Sequence, residues 1–251
     1  MGPSGVLRLT FFYGMMVGAF MCKAQGRPYS QVSIGMGIFR NGIIDKALGP
    51  YQLKGTSVPI SLNYSRVKEK INHHIQFTRS APELSSASQI GIHIESTGYL
   101  LAYTMAFRVF SSGKLTYWAG PGLTAQANLR YPEFTTQAEG LISLDSFGRI
   151  QYHASDKNNF EFGLSCPLVG ILVNRGFLIG EEETNFVWPQ TVRGIKLELN
   201  FFRRINKAWD YGLVTRMQYL HITLLNEVMN YNHQFLFSLR YRFQTAENEK
   251  S

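Results

Sequence analysis

Two cysteines, Cys22 and Cys166, are the chain's whole supply, and only 17% of its 251 residues are charged. Two thiols make at most one disulfide, which excludes a disulfide-stapled scaffold. Low charge beside 45% hydrophobic and 14% aromatic residues excludes a disordered chain, since such a composition can bury a core. Beyond residue 24 no apolar run approaches the roughly 20 residues of a membrane-spanning helix. If the chain resides in a membrane, it must do so as a closed barrel. Catalytic signatures are missing as well. There is no Gly-x-Ser-x-Gly elbow, no His-Glu-x-x-His zinc helix and no Gly-x-x-x-x-Gly-Lys phosphate loop. His73 and His74 are adjacent, so on a strand they point to opposite faces and cannot share a metal. No metal and no cofactor are expected.

The N-terminus reads as an export signal. Arg8 gives a positive flank, Leu9 to Met21 an apolar core, and Cys22-Lys23-Ala24 places small residues at −3 and −1 of a cut before Gln25. A lipoprotein cut before Cys22 competes with this reading, but bulky Phe20 and Met21 precede that cysteine. The expected organisation is a signal peptide over 1–24, then one domain over 25–251 ending in a polar tail, 244–251. Loss of Arg8 and Lys23 leaves a basic mature chain with Cys166 alone. A basic balance suits anionic lipid, acidic ligands or nucleic acid. Export and the absence of a basic-aromatic motif exclude nucleic acid.

Alternation of period two recurs along the mature chain. Val32, Ile34, Met36 and Ile38 oppose Gln31, Ser33, Gly35 and Gly37. Similar stretches follow near 58–65, 71–79, 99–110, 115–131, 144–154, 160–168, 195–201 and 211–219, and the last is His233 to Phe243. The sixth is the weakest, with a slip near Phe147-Gly148 that a bulge would cause. Connections alternate in length. Those at 66–70, 111–114, 156–159 and 205–208 are short, and those at 40–57, 80–88, 132–143, 173–192 and 222–232 are long. Ten strands are expected, with eight or twelve as alternatives. An even count puts both chain ends on one side, with short turns there and long loops opposite.

In the last stretch Phe235, Phe237, Leu239, Tyr241 and Phe243 share one face, and Ser238, Arg240 and Arg242 the other. This Phe-x-Phe-x-Leu-x-Tyr-x-Phe run, with the Tyr-x-x-Gly-x-Gly run from Tyr117 to Gly122, resembles the small Gram-negative outer-membrane β-barrels. The resemblance implies an all-β, antiparallel, up-and-down transmembrane barrel in the cell outer membrane. It also implies contact with outer-membrane lipids and lipopolysaccharide, and recognition by the barrel-assembly machinery. A monomer is expected.

The faces opposite the apolar ones carry Arg108, Arg130, Glu161, Lys196, Glu198, Arg216, Arg240 and Arg242. In so narrow a barrel such charges need partners, which predicts a salt-bridged plug. An anion-selective pore is the alternative. Glycines 35, 37, 120 and 122 fall on the same inner faces, where they leave room for long side chains. Outward tyrosines and Trp209 suit interfacial girdles. One cluster combines nucleophile, base and acid: His93, Glu95 and Ser96. Alternation sets Ser96 opposite the other two. Outer-membrane proteases of the omptin type, also ten-stranded, need paired acids and a histidine at the outer rim, whereas Glu181, Glu182 and Glu183 fall in an expected loop. With Phe177, Phe186 and Trp188 they form the expected binding surface. The functional reading is therefore a plugged barrel acting through its external loops. A lipid hydrolase using rim residues and a narrow porin or transport accessory are the alternatives.

Overall fold

The computed structural model describes residues 28–45, 52–86, 93–131, 137–175, 182–223 and 227–244. The expected signal over 1–24 lies outside them, as does the tail beyond Gln244. Thirteen strands are described: β1 (Tyr29–Asp45), β2 (Gln52–Ser57), β3 (Ile60–Val67), β4 (Ile71–Ser80), β5 (Glu83–Ser86), β6 (His93–Ser112), β7 (Leu115–Tyr131), β8 (Gln137–His153), β9 (Asn158–Arg175), β10 (Glu182–Val187), β11 (Val192–Arg204), β12 (Trp209–Ile222) and β13 (Val228–Gln244). Pairing runs round the whole set and closes where β13 meets β1. Three positions in the wall are each built from two strands in tandem: β2 with β3, β4 with β5, and β10 with β11. The ring therefore has the ten expected antiparallel positions. Each tandem junction contains a proline, Pro59, Pro82 or Pro189, which cannot donate to a ladder.

The strands outrun a membrane. β1, β7, β8 and β13 have 17 residues each and β6 has 20, whereas about 9–11 tilted residues cross a bilayer. Much of the length expected as long loops at 40–57, 132–143, 173–192 and 222–232 is therefore strand. β1 continues through Asn41-Gly42, within the connection expected at 40–57, and Asn41 donates across the barrel closure to Asn232 at 2.7 Å.

On β2, β5 and β6 the added length follows the opposite rule from the rest. Lower in the wall, Ile34, Leu62, Phe77, Leu101, Leu123, Leu144, Leu199 and Phe237 point outward and are exposed, while Ser33, Ser61, Thr104, Asp145, Asn200 and Ser238 point inward and are buried. That is a lipid-facing belt around a polar interior. Its lower edge carries the expected girdle, with Trp209 against Tyr241 at 4.8 Å. Towards the outer end Arg40, Lys54, Glu83, His93 and Glu95 are exposed on the outside. There Ile43, Leu53, Leu84, Ile94, Leu141 and Leu172 pack inside as one cluster.

Two sequence readings are refined. Alternation in β8 is unbroken from Leu141 to Tyr152. The irregularity belongs to β9, where Leu168 is left unpaired between Leu144↔Val169 and Asp145↔Pro167. Phe147 imitates a slip because it faces the polar lumen, beneath the Arg149 guanidinium at 5.1 Å. Of the four inner glycines, Gly35 and Gly122 do leave room. A Cβ on Gly37 or Gly120, however, would collide with the carbonyl oxygen of Phe235 or Met105 on the neighbouring strand. Those two are needed for strands to approach closely as the wall coils.

Candidate functional site

Alternation aims the polar side chains of all ten wall positions at one axis, and side-chain contacts cross the lumen at successive levels. Near the chain termini, Glu161 on β9 meets Arg240 on β13 at 3.2 Å, with both side chains buried. Asn159 donates to Glu161 at 2.9 Å, and the Arg240 guanidinium lies 3.3 Å from the centre of the Phe202 ring. Asp210 accepts from Arg242 at 2.6 Å and lies 3.7 Å from Arg204. Arg108 stacks over Trp118 at 5.0 Å, and Trp118 Nε1 donates to Gln151 at 2.8 Å.

The next level is centred on Glu198 and Asp145. Arg216 Nε donates to Glu198 at 2.7 Å, and its other nitrogens reach Ser61 at 2.8 Å and Asn63 at 3.1 Å. One side chain therefore spans from β12 to β3. Arg149 lies 3.7 Å from Glu198, and Asn200 donates to the same carboxylate at 2.7 Å. Asp145 accepts from Thr124 and Ser143, each at 2.6 Å, and from Lys196 at 3.1 Å. Above them Gln218 of β12 donates to Gln126 of β7, across the barrel, at 2.9 Å. Between these bonds lies a chamber of about 100 Å³, lined by His74, Gln76, Thr104, Gln234 and the ion pairs just described.

The apolar cluster lies towards the outer end. It draws a residue from almost every wall position, and Val187, Val192, Leu220, Ile222 and Val228 complete it. The polar gap in that layer is at β7 and β8, where Arg130, 1% exposed, pairs with Glu139 at 3.3 Å.

All eight inner charges named from the sequence face the lumen. Their acidic partners Asp145, Asp210 and Glu139, and the base Arg149, were missed. Asp145 sits opposite Leu144 and Arg149 opposite Ile150, so the period-two count would have found both. The stretch from 144 to 154 reads as the weakest of the ten because Phe147 breaks the expected polarity.

The reactive cluster is not assembled. His93 and Glu95 are exposed on the outer wall, His93 against Glu83 at 3.2 Å, and Ser96 is buried inside. Likewise His74 bonds Ser65 at 2.7 Å in the lumen, while His73 bonds the Tyr103 hydroxyl at 2.8 Å outside. The expected loop surface is corrected in part. Phe186 belongs to strand β10, paired with Ile171, and Glu182 and Glu183 pair with Arg175 and Asn174. Trp188 follows directly, 5.5 Å from Phe186, both exposed on the outer wall. Phe177 and Glu181 lie outside the described residues.

No protein-family model matches the chain, and no curated protein matches it in sequence. Solved structures do. The outer membrane protease OmpT from Escherichia coli is 8% identical, with a TM-score of 0.55 over 90% of this chain and 100% of that one. The translocator domain of autotransporter NalP from Neisseria meningitidis is 10% identical, with a TM-score of 0.46 over 96% and 97%. Neisserial surface protein A gives 9% identity and a TM-score of 0.38 over 89% and 100%. The chain has the fold of the small outer-membrane β-barrels.

Proposed function

We propose that this chain is an outer-membrane barrel that passes no solute along its axis and serves as a rigid mount for an envelope-binding outer surface. The observation that carries this reading is the set of bonds crossing the lumen. Arg240–Glu161, Arg216–Asn63 and Gln218–Gln126 join strands that are not neighbours in the wall. A continuous water column would have to break each of them and then cross the layer above, which is apolar apart from Asn230 and the Arg130–Glu139 pair.

The outer edge of the lipid belt carries Arg40, Arg79 and Arg193, all exposed and outward. Guanidinium groups at that level suit the anionic headgroups of outer-leaflet lipid, lipopolysaccharide among them. Phe186 and Trp188 beside them give the wall an apolar ridge. The nucleophile and histidine lie on opposite faces of β6, which leaves the hydrolase reading without support.

Reconstitution into planar bilayers tests the closed lumen. Purified barrel should show no stepwise conductance, and the Glu198→Gln/Asp145→Asn double variant should raise it. Steady channels from the unaltered protein would refute the reading. Binding of lipopolysaccharide to the Arg40→Gln/Arg79→Gln/Arg193→Gln variant, measured against the parent, tests the arginine collar.

A further inference from the structure

Among the described residues, the longest interruption of the ladder is the seam between β9 and the tandem strands β10 and β11. β10 holds β9 from Glu182↔Arg175 to Val187↔Gly170, and β11 holds it from Lys196↔Ser165 downward. Between those pairs, residues 166–169 of β9 face residues 188–195, and among the described residues no ladder pair joins them. The other two proline junctions differ. Across Pro59 the pairing with β1 resumes in register, from Met36↔Ile60 to Phe39↔Ser57. Across Pro82 it resumes from Ser80↔Gly98 to Glu83↔Glu95. At the seam two prolines, Pro167 and Pro189, remove backbone donors. That lowers the penalty for unpaired backbone beside lipid. Packing closes it instead. A Cβ on Gly194 would stand 3.1 Å from Pro167 Cγ and 3.2 Å from Leu220 Cδ1.

The chamber reaches the lower edge of this seam, where the paired Ser165 and Lys196 line it beside Asp145. The outer lip is apolar, with Ile195, Phe186 and Trp188 all exposed. Inside, the charges are already matched: Lys196 with Asp145, and Arg216 and Arg149 with Glu198. His74 Nε2 and Gln234 Oε1, also in the chamber lining, are buried without a partner among the described residues.

We infer that the β9/β11 seam is a lateral opening to the outer leaflet. Through it the chamber takes the neutral, hydrogen-bonding head of a single-chain amphiphile such as a fatty alcohol. A lumen blocked along its axis leaves a sideways route, so the inference rests on the closed-lumen reading. Unsatisfied atoms of a neutral amide and a neutral imidazole favour a hydroxyl head over an ion. The apolar lip holds the chain.

Thiol labelling in vesicles tests it. Thr104→Cys in a Cys166→Ser background puts the reporter on the chamber lining, and peptide mass spectrometry reads its modification. N-ethylmaleimide, which partitions into bilayers, should modify it. Decanol should slow that labelling, and a disulfide across the seam (Pro167→Cys/Gly194→Cys) should slow it about tenfold. Equal rates with the seam locked or free, no labelling at all, or no protection by decanol would each overturn the inference. Equally fast labelling by a charged, water-confined methanethiosulfonate would instead refute the closed lumen. Hydrogen exchange on the unmodified protein needs no variant. Among residues 166, 168, 169, 190 and 193–195, the amides that do not bond to β8 or β12 should exchange about tenfold faster than those of Phe160 to Leu164. Equal protection would show that the seam does not part.

Discussion

Above and below the level of Arg40 the same wall is built to opposite rules. Below it, outward positions are apolar and inward ones polar, so the barrel solves the problem of lipid. Above it, on β2, β5 and β6, Lys54, Glu83, His93 and Glu95 point outward and Leu53, Leu84 and Ile94 inward, as in a water-exposed sheet over its own core. On the other side of the wall Ile142, Ile171, Val173 and Phe186 keep an apolar outer face. Adjacent residues show the contrast. Leu53 is 3% exposed inside the outer zone and its neighbour Lys54 is exposed outside, whereas lower down Ser61 is buried and Leu62 is 44% exposed. From β2 to β3 the strand period does not change, while the polarity of its two faces does. The lower zone buys its closure with ion pairs, the upper with hydrophobic packing.

Substitutions that swap the rules should break the molecule in proportion to burial. Leu53→Lys puts an unpaired ion into the apolar layer and should cost about 5 kcal/mol. Lys54→Leu, one residue away, should leave stability nearly unchanged. Leu62→Lys, the mirror case on the lipid face, should cost about 2–4 kcal/mol. Urea titration of the folded band on cold gels measures all three, and equal losses at Leu53 and Lys54 would erase the two-zone distinction.

Within the lower zone, Glu198→Gln strips the carboxylate from both Arg216 and Arg149 and should cost about 3 kcal/mol. Replacing Arg216 by Met in the same chain should recover part of that loss, because the stranded charge goes with it. Gly120→Ala should cost about 2 kcal/mol through the collision with the Met105 carbonyl, visible as a lower unfolding midpoint. Among the lower-zone changes the smallest is Arg204→Ala, which should cost less than about 1 kcal/mol, since its side chain is 40% exposed and only one of two cations on Asp210. A large loss there would mean that the rim pairs matter more than the interior ones.

Much of the lower zone was legible in the sequence, and much of the upper was not. Val32 to Ile38 and Trp118 to Arg130 declare their faces by alternation, and the closing aromatic strand names its environment. The outer zone kept the period but inverted its polarity, so Arg40 and Asn41 read as the start of a loop rather than as an outward and an inward residue of β1. Asp145 was hidden by Phe147, an aromatic on the polar face that a cation covers. The seam was hidden for another reason. Pro167 and Pro189 are visible in the sequence, but the register that separates them from Pro59 and Pro82 is a property of three strands together.

Nitroxide scanning along β1 tests the two-zone account most directly, with oxygen as the lipid-phase probe and a neutral nickel chelate as the aqueous one. Labels at Ile34, Met36 and Ile38 should respond to oxygen. A label at Arg40 should switch to the nickel chelate, and one at Ile43 should be shielded from it. Oxygen dominance at Arg40 together with free nickel access at Ile43 would mean that the wall keeps one polarity throughout and that its outer end is open, contradicting the account.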